Sequence, residues 1–296
     1  MSPLVVVVAL FGIVLWGGSA IGTKVAVAEL SPVLVACLRT VLGGLVALPI
    51  GLALGVPLPR GRRQIAGLAV SAACGYFAFP LFFSLGMQRT SGIHGSMILA
   101  MVPIATGAIA HLVERRRPAG RWWLGCAIAL AGELLLISLR ATASGGEDLV
   151  GDLLVGLAGV FGAIGYVAGG RLKQTGYPAQ GTTYWGIVFA SLPILPLLPS
   201  LLAGVDVGGV SLAAWAGVAY LAVGVSVIGY VAWYWALGRG GIARVGVFQF
   251  LQPVSGVILA VMVLGESLTP AIVVAAATIG LGVWIGIGGG AARGRT

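Results

Sequence analysis

The chain has 296 residues, of which 59% are hydrophobic and only 8% charged, whereas an ordinary soluble domain is roughly a quarter charged. That excludes a soluble globular enzyme, because so many apolar side chains cannot all hide in one core of this size and lipid must cover much of the surface. The formal charge of +9 does not point to nucleic acid, since Lys and Arg come in short groups between apolar runs rather than along one polar face.

Apolar runs of span length, broken at charges and turn residues, predict ten membrane helices. They lie at roughly 3–24, 32–54, 65–87, 92–113, 121–139, 150–170, 182–203, 212–237, 242–264 and 271–289. Ala26-Val27-Ala28 has the look of a signal-peptide cleavage site, but no Lys or Arg precedes the first apolar run, as a secretory leader would require. With a cytoplasmic N-terminus, thirteen Lys or Arg fall on the inner side, among them Arg60, Arg62, Arg63 and Arg115 to Arg117. Only Lys24, Arg89 and Arg140 fall outside, so the positive-inside rule places both termini in the cytoplasm. Cys37, Cys74 and Cys126 each sit alone within an apolar run and read as packing residues; their spacing fits neither a disulfide framework nor a metal site.

The two halves carry the same landmarks in the same order. Leu85-Gly86, Gly92-Ile93, Pro103, Glu114 and Pro118 are followed, later in the chain, by Leu237-Gly238, Gly241-Ile242, Pro253, Glu266 and Pro270. Such an ordered set reads as an internal repeat, residues 1–145 and 146–296, each with five spans. Five is odd, so the second copy must enter the membrane in the opposite direction. The expected fold is therefore an all-α integral membrane unit of ten helices in two inverted five-helix repeats, an arrangement that can rock around a midplane site.

The stretch from Trp233-Tyr234-Trp235-Ala236-Leu237 through Gln252-Pro253 to Gly265-Glu266-Ser267-Leu268-Thr269-Pro270 resembles the second repeat of the EamA family, within the drug/metabolite transporter superfamily. Trp16-Gly17-Gly18-Ser19 and Leu38-Arg39 resemble its first repeat, whereas Glu114-Arg115-Arg116-Arg117-Pro118 lacks the Gly and Leu-Thr of the pattern. Within the superfamily the chain is most similar to bacterial aromatic amino acid exporters. The resemblance implies a secondary transporter of amino acids or similar metabolites, working by alternating access on a midplane cavity among the first, third, fourth, sixth, eighth and ninth spans.

Candidate binding residues follow from where the helices are interrupted. Pro80, Pro103 and Pro253 lie within the third, fourth and ninth spans. Each removes an amide bond, so the carbonyls of Tyr76, Leu99 and Gln249 are expected to need another partner. Side chains able to touch a solute line up around these breaks at helical spacing. They are Trp16 and Ser19 on the first span, Tyr76 and Phe79 on the third, His94, Met97 and Met101 on the fourth, Tyr166 on the sixth, Tyr230 and Trp233 on the eighth, and Gln249 and Gln252 on the ninth. Such a lining suits zwitterionic amino acids, with freed carbonyls accepting from the ammonium and glutamine amides donating to the carboxylate. Arg39 and Glu133 are the deep charges, about 10 Å and 9 Å below the outer surface at 1.5 Å per residue. Equal depth permits a structural ion pair; the sharper alternative makes either one a proton or substrate-carboxylate site.

No cofactor or metal motif is present, and the partners expected are lipid and a small-molecule substrate, not nucleic acid. Gly51-x-x-x-Gly55 and Gly282-x-x-x-Gly286-x-x-x-Gly290 permit close helix contact without requiring a dimer. Two other readings stand beside the amino acid carrier: a proton-coupled exporter of drugs or other metabolites, and, remotely, an intramembrane hydrolase with Ser19 as nucleophile and His94 or His111 as base. Facilitated movement is the expected mode, because no cluster of carboxylates is placed to relay protons. Tags at both termini should report a cytoplasmic location and a reporter near Gly145 an outer one; an outward C-terminus in a reporter-fusion assay would overturn the inverted repeat.

Overall fold

The computed structural model of the protein describes residues 2–114, 120–140, 149–240 and 251–288, with the backbone alone at some helical positions, including Pro103, Glu114 and Glu133. Every described element is helical, as a chain in lipid requires, since only a helix or a closed barrel satisfies its backbone groups internally. The first apolar run forms α1 (Pro3–Gly17) and α2 (Ser19–Val27), and the second forms α3 (Pro32–Ala53). The third comprises α4 (Gly61–Ser71), a π-helical turn (Ala72–Ala78) and α5 (Phe79–Arg89). The fourth comprises α6 (Gly92–Ile98), a 3-10 turn (Leu99–Met101) and α7 (Val102–Glu114), and the fifth is α8 (Gly120–Arg140).

The second half runs α9 (Leu149–Leu172), α10 (Ala179–Ser191), α11 (Leu198–Leu202) and α12 (Leu212–Ala219). A π-helical segment (Tyr220–Gly229) and α13 (Tyr230–Gly240) continue the eighth run, followed by α14 (Leu251–Leu264) and α15 (Pro270–Gly288). Six of these runs are long and apolar enough to cross a membrane: Pro3–Val27, Pro32–Ala53, Gly61–Arg89, Leu149–Thr175, Ala179–Leu202 and Leu212–Trp233. Four shorter apolar helices, Gly92–Thr106, Trp123–Gly132, Leu251–Leu264 and Pro270–Gly282, lie within the remaining expected spans. The seventh run departs most from expectation. It starts at Ala179 and its α-helix ends at Ser191, because Pro193 and Pro196 cannot donate to the ladder.

Nearly uniform hydrophobicity means that small residues, rather than polar faces, decide which sides meet. The π turn and α5 pack on α9, where a Cβ added to Gly165 would stand 2.6 Å from the Cα of Gly75 and one added to Gly86 would stand 2.7 Å from the Gly151 carbonyl oxygen. Gly51 meets Tyr184, and Gly282 meets Gly125 and Ala129, so these two members of the small-residue patterns pack within the chain. The other principal pairings are α3 with α10, α1 with α13 and α14, α2 with α12, α6 with α14, and α8 with α15.

The helix ends explain the motif that carried the family resemblance. Gly265 takes φ 67° beyond α14, a left-handed turn that suits glycine. Glu266 then reaches across to α6, where its two oxygens accept from the amides of Gly92 at 2.6 Å and Ile93 at 2.8 Å. Thr269 accepts from the Ile272 amide at 3.3 Å, with Pro270 at the first helical position of α15, a favoured helix start. Lys24 is likewise structural. Its ammonium donates to the carbonyls of Met87 at 3.1 Å and Thr90 at 2.6 Å, the negative end of α5. Between α2 and α3, Glu29 accepts from the hydroxyl and the amide of Ser211, the cap of α12, and these bonds hold its carboxyl below the usual carboxylate range.

Glu266→Ala should therefore cost about 1–3 kcal/mol, read as a lower unfolding temperature in detergent, while Ser267→Ala next to it stays close to neutral.

Candidate substrate cavity

The cavity forms where α3, the third run, α10 and the eighth run converge, and its wall is Arg39, Thr40, Gly75, Tyr76, Phe79, Pro80, Ile187, Ser226 and Tyr230. The empty space among these residues, counted together with what lies open beyond them, is about 300 Å³. Both π-helical segments contribute: Gly75 and Tyr76 come from Ala72–Ala78, and Ser226 from Tyr220–Gly229. A π turn adds a residue to the helical circuit and is frequent at functional sites. Here it widens the two helices that flank the cavity.

Broken backbone bonds around the cavity are met by side chains. Pro80 supplies no amide to the helix, and the Thr40 hydroxyl lies 2.8 Å from the Tyr76 carbonyl and 3.0 Å from that of Ala36, with one proton to share. In the other π segment the Ser226 hydroxyl donates to the Leu221 carbonyl at 2.9 Å, and the Trp16 indole donates to Val225 at 3.3 Å. Near Pro103 the expected break appears as the 3-10 turn, and the Leu99 carbonyl accepts from the Val102 amide. The Tyr76 and Leu99 carbonyls, expected to need another partner, each have one within the protein.

Arg39 is the charge of the site. It is 5% exposed, its Nε donates to Ser226 Oγ at 3.2 Å, and its guanidinium carbon lies 5.7 Å from the Phe79 ring centroid, within cation–π range. No carboxylate among the described residues pairs with it, and its Nη protons have no protein acceptor there. The expected partner Glu133 lies on α8, which packs chiefly on α15, and its side chain falls outside the described residues. An arginine at a helix centre costs about 2.5–3.5 kcal/mol on insertion scales, and the hydroxyl and ring that face it are both neutral.

Aromatic rings gather beside the arginine around Tyr230. Trp16 meets it edge-on at 4.9 Å between centroids, Tyr76 lies at 5.9 Å and Tyr166 at 6.3 Å. The Tyr166 and Tyr230 hydroxyls are 3.0 Å apart, and Trp233 packs on Trp16 at 5.4 Å. The structure therefore brings together Trp16, Tyr76, Phe79, Pro80, Tyr166, Tyr230, Trp233 and Arg39. It places His94 and Met97 elsewhere, buried on α6; Met97, with Met101 against it, packs in a cluster with Phe83, Met87, Ile93 and Val257. Ser19 is buried on α2 and its carbonyl accepts from Thr23 at 2.8 Å. Gln252 is half-buried near the start of α14, its carbonyl accepting from Ser255 at 2.9 Å, and Pro253 follows it. Gln249 lies outside the described residues.

Sequence reasoning missed Thr40, Ser226 and Ile187. Thr40 and Ser226 are polar residues deep in apolar runs, a signal that was available; Ile187 gives none. It also missed Asp152, which is 3% exposed and accepts from Thr90 Oγ1 at 2.6 Å.

Six helical runs long and apolar enough to cross a membrane define a multi-pass membrane protein. The EamA-like transporter family profile matches residues 3–138 and 149–287, and the chain belongs to that family. It is 29% identical over 262 residues to the "Uncharacterized transporter YdeK" of Bacillus subtilis, covering 88% of this chain and 89% of that protein. It is also 29% identical over 289 residues to a "Probable amino-acid metabolite efflux pump" of Salmonella typhimurium, covering 95% and 94%. A "Probable terminal-alkyne amino-acid exporter" of Streptantibioticus cattleyicolor is 29% identical over 217 residues, covering 72% and 69%. A crystal structure at 20% identity superposes with a TM-score of 0.66 over 96% of both chains, a likeness of fold.

Thr40→Val, which keeps the shape and removes the hydroxyl, should destabilise the protein by about 1–3 kcal/mol by leaving the Tyr76 carbonyl short of a donor. Thr40→Ser should retain most of that stability in the same thermal unfolding measurement.

Proposed function

We propose that the protein is a secondary transporter of amino acids, including aromatic ones, and similar small metabolites in a bacterial cytoplasmic membrane, working by alternating access. The observation that carries this reading is the cavity: a buried arginine and a cluster of aromatic rings, contributed by runs from both halves of the chain, at the crossing of four helical runs. The relatives named for amino-acid metabolite efflux and amino-acid export support the substrate class. Ten spans in two inverted repeats, residues 1–145 and 146–296, with cytoplasmic termini, are part of the proposal. Two features support that architecture. The π segments fall in the third and eighth runs, which correspond in a five-plus-five repeat. The pairings α3 with α10, α6 with α14 and α8 with α15 join corresponding runs, and third-with-sixth mirrors first-with-eighth.

Aromatic walls adapt to several apolar shapes, so selectivity for the side chain is loose. Movement down a gradient is the proposed mode. Asp152, buried on α9 and bonded to Thr90, favours a second reading, in which protonation of a buried carboxylate couples export to the proton gradient.

Counterflow of labelled amino acids and their close derivatives in proteoliposomes tests both. Exchange independent of an imposed pH gradient, lowered at least about tenfold by Tyr230→Ala, is the expected result. Absence of exchange for every compound would overturn the substrate class, an undiminished rate in Tyr230→Ala would overturn the site, and accumulation that needs a pH gradient and is lost in Asp152→Asn would replace the facilitator with the coupled exporter.

A further inference from the structure

The charge of the cavity says more about the cargo than its shape does. Arg39 brings one positive charge to a wall whose remaining residues, Thr40, Gly75, Tyr76, Phe79, Pro80, Ile187, Ser226 and Tyr230, are all neutral. A zwitterion entering that space leaves the sum at plus one, whereas a monoanion brings it to zero, the state that a poorly solvated site favours. We infer that the preferred cargo is a net-anionic carboxylate with an apolar body, its α-nitrogen acylated or absent, rather than the parent zwitterionic amino acid. This rests on the reading of the cavity as the transport site and adds the charge class of the cargo.

The hydrogen-bonding inventory agrees. Arg39 spends Nε on Ser226, and the four protons on its two Nη atoms, which no acceptor among the described residues takes up, are available to a ligand, in the fork that matches a carboxylate. Among the described lining residues an ammonium group finds no carboxylate as an equivalent. The carbonyls that prolines release at Tyr76 and Leu99 each already accept one bond, from Thr40 and Val102, and carry no full charge. Ser226 gives its proton to Leu221 while accepting from Arg39, so a lone pair there already faces a cation. The Phe79 ring face, the remaining attraction for a cation, is next to the guanidinium, where a second positive charge is repelled. An apolar body meets Tyr76, Phe79, Ile187 and Tyr230 instead.

The experiment uses wild-type protein in proteoliposomes and four labelled probes of similar size: 3-phenylpropanoate, N-acetylphenylalanine, phenylalanine and phenethylamine. Both anions should exchange at least about tenfold faster than phenylalanine at equal low concentration, and phenethylamine should not exchange. Arg39→Gln that remains monodisperse should lose the preference for anions. Arg39→Lys should retain part of it, because the charge persists without the fork. Phenylalanine exchanging as fast as the anions would overturn the inference while leaving an amino acid transporter in place. Exchange of none of the four would overturn it together with the reading of the cavity. A folded Arg39→Gln protein that still prefers the anions would refute the role of the arginine.

Discussion

Lipid offers no hydrogen bonds, and the local geometry of this protein answers to that constraint. At several places where the regular ladder is disturbed, a side chain from another helix completes it: Thr40 at the Tyr76 carbonyl, Trp16 at Val225, Tyr220 at Leu15, Lys24 at Met87 and Thr90, and Glu266 at the amides of Gly92 and Ile93. Each of these ties two runs together at the place where one of them is irregular. The irregular places are therefore also fixed places, and a cavity built beside them has a defined wall.

The same constraint explains how two kinds of interruption differ. The 3-10 turn ahead of Pro103 satisfies the Leu99 carbonyl within its own run, and the surrounding face is closed by Met97, Phe83 and Val257. The π turn ahead of Pro80 turns a carbonyl toward α3, where Thr40 meets it and its neighbour Arg39 faces the cavity. Proline alone marks a disturbed helix; whether the disturbance opens a site depends on the run beside it. Small residues act alongside. Gly75 against Gly165 brings the third run onto α9, and from the same run Tyr76 joins the ring cluster that Tyr166 of α9 also enters through Tyr230.

Arg39 draws the two themes together. It is held by a hydroxyl whose own proton belongs to a π-helical carbonyl, and by the face of a phenylalanine on a third run. These contacts orient the guanidinium, and no carboxylate among the described residues neutralises it. Aromatic rings around Tyr230 supply the apolar complement. A charge set among aromatic rings gives the cavity an amphipathic wall.

Much of this was legible in the sequence, because the properties concerned are local or follow from composition. Hydropathy gave the membrane class, and depth along a helix, at 1.5 Å per residue, marked Arg39 as buried. Helical spacing also picked out Trp16, Tyr76, Phe79 and Tyr230, since rings near the middle of a span must pack on something. Which way each face points was decided only in the tertiary structure. In runs this uniformly apolar no polar side announces the outside, so the rotation of each helix is set by glycine contacts with partners far along the chain. For that reason Arg39 meets Ser226, 187 residues away, Met97 turns into a packed layer, and Thr40 donates to the carbonyl that Pro80 leaves unbonded.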